Sequence, residues 1–141
     1  MIRKVEAFVP LLQEAFDNDK TFKMPVKGTS MLPFINEKHY VILKKVDSIK
    51  KNDIVFYRRD SGQYVLHRIY DVKKDYYVLM GDNQTFKEEP IYEHQIIAKV
   101  EAVIKGNKVH NLRGLKYRLY LFFWHNRFIR KLCFPISRRM R

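Results

Sequence analysis

Gly28-Thr29-Ser30-Met31-Leu32-Pro33 is followed downstream by Tyr64-Val65-Leu66-His67-Arg68-Ile69-Tyr70 and then by Gly81-Asp82-Asn83. A glycine-led turn carrying a serine, an apolar strand carrying a histidine and a turn carrying an aspartate are the residue types from which an activated serine is assembled. A serine hydroxyl is a weak nucleophile at its own pKa. It needs a base within hydrogen-bond reach and donors aimed at the developing oxyanion. Gly28 permits close backbone approach or an unusual dihedral, and Pro33 keeps the segment from continuing as a helix. The Ser30 N–H is then a candidate oxyanion donor. Taken singly, Ser30 would read as a loop serine satisfied by local backbone, and His67 as a core histidine. The three segments together carry the chemical reading.

Outward from these segments the pattern is β. Alternation over 64–70 places Val65, His67 and Ile69 on one face. From Phe22 to Val109, short β-branched and aromatic runs alternate with turn residues. They predict strands over 22–27, 40–45, 53–58, 63–72, 75–80, 96–104 and 108–111. Asp60-Ser61-Gly62 and Lys105-Gly106-Asn107-Lys108 read as hairpin loops. Strands this closely spaced predict a mainly β, antiparallel, partly coiled fold. Residues 3–17 read as a short amphipathic helix, with Val5, Phe8, Leu12 and Phe16 at helical spacing. Pro10 lacks a backbone donor, which favours a helix beginning near it. The predicted organisation is an N-terminal helix over 1–20, a β-rich domain over 21–111 and a basic amphipathic helix and tail over 112–141.

The stretch from Val26 to about Val103 resembles the catalytic core shared by type I signal peptidases and self-cleaving repressor proteases. The string Gly28-x-Ser30-Met31-x-Pro33 is similar to the nucleophile motif of that superfamily, and Asn52-Asp53-Ile54-Val55-Phe56 to the strand that precedes the base. The resemblance implies a coiled antiparallel β-ribbon with a short N-terminal helix and an amphipathic C-terminal one. It implies Ser30 as nucleophile, with Gly28, Thr29 and Met31 contributing to the oxyanion and substrate site. Where the bacterial leader-cleaving enzymes and the repressors carry lysine, this chain has His67-Arg68. That is similar to the histidine branch found in endoplasmic-reticulum-type signal peptidases. An imidazole near its ordinary pKa is a competent base at neutral pH, whereas a lysine must first be desolvated. In that branch an aspartate from a Gly-Asp-Asn-like segment lies close to the base, which implies Asp82 as the orienting carboxylate. The branch has a second acidic residue a few positions later. Here the nearest are Glu88 and Glu89, with their role open. The family's glycine before the aspartate of the preceding strand is Asn52 here.

Composition bounds the alternatives. With 141 residues, 46% of them apolar, one domain with a real core is expected. Cys133 is the single cysteine, so no internal disulfide scaffold forms. His39, His94, His110 and His125 show no metal-ligand spacing, and there is no phosphate-binding glycine loop, so neither metal nor cofactor is expected. No apolar run approaches membrane-spanning length and no secretory leader is recognised, which gives a cytoplasmic expectation. Beyond Leu112 there are nine basic residues and no acidic one. Removing those nine from the net charge of +13 leaves about +4 for the rest. Residues 113–133 have helical periodicity, with cations on one arc and Leu115, Leu119, Leu121, Phe122, Phe128, Ile129 and Leu132 on a wide apolar remainder. Such a helix either lies on an anionic membrane surface, peripheral to its inner face, or packs its apolar side on the β core. No nucleic-acid motif accompanies it, and nucleic acid is not expected as a partner.

The expectation is a signal peptidase-like serine endopeptidase that cleaves extended, leader-type peptides through an acyl-enzyme. The alternative is a catalytically inactive module of the same fold that binds a peptide or partner in the same groove. The repressor-type alternative would call for lysine at position 67 and for a DNA-binding domain.

Overall fold

The computed structural model describes residues 2–126, with side chains from Val5 onward. The predicted helical positions 127–133 lie outside the described residues. The chain runs α1 (Ile2–Asp17), β1 (Phe22–Pro25), β2 (Tyr40–Lys44), β3 (Ile54–Arg58), β4 (Tyr64–Val72), β5 (Tyr77–Met80), β6 (Glu88–Ile91), β7 (Ile96–Lys105), β8 (Lys108–Asn111) and α2 (Leu115–His125). All strands join one antiparallel sheet in the order β1-β2-β7-β3-β4-β5-β6, with β8 on β7. The fold is mainly β with a helix at each end, as the strand spacing predicts.

Two expectations are corrected. The first helix does not begin near Pro10 but runs through it from Ile2. Its register is held by packing: Leu12 and Phe16 are buried in the main core, with Val5 and Phe8 against it. The second correction is β6, a strand that composition does not announce. Glu88, Glu89 and Pro90 are poor strand formers, but they occupy the outer edge of the sheet beside β5, where a missing donor is tolerated.

The central strand β3 explains the two cores. Ile54, Val55, Phe56 and Tyr57 are all buried. By alternation Ile54 and Phe56 face the cluster under α1, while Val55 and Tyr57 face a second cluster with Ile69, Leu79 and Ile91. Register irregularities interrupt the ladders at Ile42/Leu43, Phe56/Tyr57 and Ile69/Asp71. Bulges of this kind bend and twist the sheet. Only the second half of β4 is paired with β5, from Arg68 on. Tyr64–His67 are laddered to β3 and have no strand on their other side among the described residues. That open edge borders the site.

Candidate active site

Ser30 and His67, which are distant in sequence, line one cavity of about 450 Å³. Its walls come from the segment after β1 (Lys27, Gly28, Thr29), from the open half of β4, and from Arg59 and Gln84. No hydrogen bond joins Ser30 to His67 among the described residues. Resting-state catalytic hydrogen bonds are often long and tighten only with substrate bound.

The serine turn is built by its neighbours. Gly28 takes φ +83°, a left-handed conformation open to glycine, and its N–H donates to Glu37 Oε2 at 2.8 Å. The carbonyls of Thr29 and Ser30 are both taken by Asn83, from its side-chain Nδ2 at 3.1 Å and its backbone N–H at 2.8 Å. Gly81 must be glycine for a different reason: a Cβ there would stand 2.5 Å from the Ser30 carbonyl oxygen. The Gly81-Asp82-Asn83 segment is therefore a clamp on the Ser30 turn. The Ser30 N–H makes no hydrogen bond among the described residues, which leaves it available to an oxyanion. Thr29 lines the cavity. Met31 does not: it is buried in the main core beside Ile35, one helical turn on.

His67 is 1% exposed. Burial lowers its pKa to about 4, with the Glu88 carboxylate acting in the opposite direction. The ring is therefore neutral at pH 7. Its Nδ1 lies 3.1 Å from the Tyr57 hydroxyl, and Tyr57 Oη lies 2.9 Å from Glu88 Oε1. Glu88 in turn accepts from Arg59 through Nε at 3.0 Å and Nη2 at 2.9 Å. Burial opposes ionisation of Glu88, but the hydrogen bonds from Arg59 and Tyr57 outweigh it and hold the carboxyl below its ordinary value. Burial and the Glu88 charge raise the Tyr57 phenol, which stays protonated. This order of groups sets a tautomer. An ionised Glu88 can only accept, so the one phenolic proton of Tyr57 points to it. The Tyr57 oxygen then accepts from His67, whose proton sits on Nδ1, and Nε2 keeps its lone pair.

Asp82 stands elsewhere, which corrects the expectation that it orients His67. Its carboxylate meets Arg68 in a fork, at 2.8 Å to Nε and 2.9 Å to Nη2, and accepts from Tyr120 at 2.7 Å. The reason is register: β4–β5 pairing sets Arg68 opposite Met80, the last residue of β5, which brings the turn after β5 to Arg68. Both charges are fully buried. The acidic group close to His67 Nδ1 is Glu88, at 3.9 Å. Tyr57 and Arg59 had no sequence signal, because their place beside His67 depends on the β3–β4 register (Val55 opposite His67, Tyr57 opposite Val65).

The aromatic side of α2 closes over the Arg68–Asp82 pair. The guanidinium lies over the rings of Phe34, Tyr117, Tyr120 and Trp124, and the Trp124 indole N–H donates to the Asp82 carbonyl at 3.2 Å. Asn52 supports the same cluster. Its carbonyl accepts from Arg68 at 2.9 Å, and it adopts φ +79°, which asparagine tolerates better than other non-glycine residues.

Residues 2–101, from α1 into β7, match the Peptidase S24-like family model. The chain belongs to the Peptidase S24-like family. Its fold is accordingly of serine-peptidase type. Comparison with curated proteins and with solved structures returned no match. Among the described residues of this family member, no cluster of His, Cys, Asp and Glu could hold a metal ion, and no helix is long and apolar enough to cross a membrane.

Proposed function

We propose that the protein is a serine endopeptidase of signal peptidase-like type, with Ser30 as nucleophile and His67 as general base and acid. One observation carries this reading. The cavity that holds Ser30 also holds a neutral, buried histidine whose Nδ1 is engaged by Tyr57, which leaves Nε2 as the basic nitrogen. In the reaction His67 takes the Ser30 proton as Oγ attacks the scissile carbonyl. The oxyanion is met by the N–H of Ser30. The imidazolium that forms is stabilised by Glu88 at 3.9 Å, through and beside the Tyr57 hydroxyl. Proton return to the leaving amine gives the acyl-enzyme; water deprotonated by the same base then attacks the acyl carbonyl, and the proton returns to the departing Ser30 oxygen.

The substrate is an extended peptide, of leader type. Tyr64–His67 form an open strand edge across the cavity from the segment 24–28. A peptide added beside that edge makes main-chain hydrogen bonds and presents alternate side chains to the pocket.

The test is labelling with a serine-reactive fluorophosphonate. Wild type is expected to label, and both Ser30→Ala and His67→Ala to lose labelling while remaining folded by circular dichroism. A folded wild type that does not label, with or without anionic vesicles, would replace the enzyme reading with that of a peptide-binding module.

A further inference from the structure

Helix α2 has two faces of different fate. At about 100° per residue, Tyr117, Tyr120, Leu121 and Trp124 share one side. Tyr117, Tyr120 and Trp124 of that side are committed to the Arg68–Asp82 pair. On the opposite side Leu115, Leu119 and Phe122 fall within an arc of about 60°, and Phe123 widens it. These four are 73%, 49%, 62% and 40% exposed. Lys116 and Arg118, both exposed, stand at the two borders of this stripe. A cleft of about 500 Å³ at the root of the helix adds Lys51 and Arg113 beside Arg118, with the acids Asp53 and Glu101. Of these acids, Asp53 is already paired with Lys99 at 3.2 Å.

Charge selects the occupant. From Arg113 onward the sequence has nine bases and no acid. A second copy of the chain on this face would bring Lys116, Arg118 and Arg113 together twice without a balancing acid from that segment. A polyanion such as RNA would meet the cations and leave the leucine and phenylalanine stripe in water. An anionic lipid surface satisfies both, with apolar side chains at the acyl boundary and cations on headgroup phosphates. We propose that α2, held rigidly by its aromatic face, docks this protein on an anionic phospholipid membrane through Leu115, Leu119, Phe122 and Phe123, flanked by Lys116 and Arg118. The proposal does not depend on the chemistry of Ser30.

The experiment is vesicle co-sedimentation of the full chain, with fluorescence of Trp124, the single tryptophan, reporting that α2 stays docked. Wild type is expected to pellet with phosphatidylglycerol-rich vesicles, to remain in solution with phosphatidylcholine, and to be released by salt. The double variant Leu119→Asn with Phe122→Asn, its Trp124 emission unchanged, is expected to partition at least about tenfold more weakly. Arg118→Gln weakens binding to anionic vesicles alone. The proposal is overturned if wild type ignores anionic vesicles, or if the folded double variant binds them as tightly as wild type. It is also overturned if lipid-free wild type is a dimer that the double variant dissolves, or if RNA competes fully with the vesicles and binds the double variant unchanged.

Discussion

At the scale of single residues, the site turns on where one proton sits. His67 is neutral because it is buried, and its tautomer is set by Tyr57, which has one proton to give and gives it to Glu88. Tyr57→Phe removes the acceptor of the Nδ1 proton. The expected result is a fluorophosphonate labelling rate lower by about tenfold or more, within the range general-base catalysis contributes. Histidine-selective nitrogen NMR should show the single Nδ1–H tautomer of wild type giving way to a mixture. A Tyr57→Phe variant that keeps both rate and tautomer would remove Tyr57 from the mechanism. Gly81 is the second residue-scale case. The Cβ of Gly81→Ala would meet the Ser30 carbonyl at 2.5 Å, so the Ser30 turn must shift. A misplacement of this order lowers the labelling rate about a hundredfold, and circular dichroism should show the sheet retained.

At the scale of elements, the pairing of β4 with the turn after β5 and with α2 is a latch around buried charge. Arg68 and Asp82 are both fully buried, and removing either breaks this buried pair. Arg68→Met is therefore expected to destabilise by about 3–5 kcal/mol, measured by urea unfolding. Asp82→Asn should act in the same direction while leaving the Nδ1–H tautomer of His67 unchanged. Loss of that tautomer in Asp82→Asn would assign the orienting role to Asp82 in place of Tyr57 and Glu88. The latch also explains which face of α2 packs. Hydropathy favours the leucines and phenylalanines, but a buried ion pair needs hydrogen-bonding aromatics. Tyr117, Tyr120 and Trp124 each supply both a ring and a polar atom.

At the scale of the whole molecule, the buried histidine makes stability depend on pH. The unfolded chain binds a proton at His67 near pH 6.5 and the folded protein only near pH 4. Between those values the unfolded state binds more protons, so stability is fully present above pH 6.5 and falls as pH drops toward 4. The loss from this group is about 3 kcal/mol. Glu88, held below its ordinary 4.5, extends the loss to lower pH. His67→Gln should flatten the curve between pH 6.5 and 4, as read from urea midpoints at each pH. A variant whose midpoint falls across that window as steeply as wild type would show that His67 is not the group responsible.

Local pattern alone was enough for the β class, for seven of the strands and for the first helix, because alternation and helical spacing are properties of neighbouring residues. It was also enough to single out Ser30 and His67, which the fold brings to one cavity, since a glycine-led serine turn and a histidine in an apolar strand are visible without partners. Glu88 was visible only as one of two nearby acids. The edge strand β6, the commitment of Asp82 to Arg68, the placement of Tyr57 beside His67 and the choice of face on α2 were decided by tertiary structure. Each depends on register between segments far apart in the chain, where a shift of one residue turns a side chain to the other side of the sheet. No local composition encodes that register; the packing of the two cores on either side of β3 does.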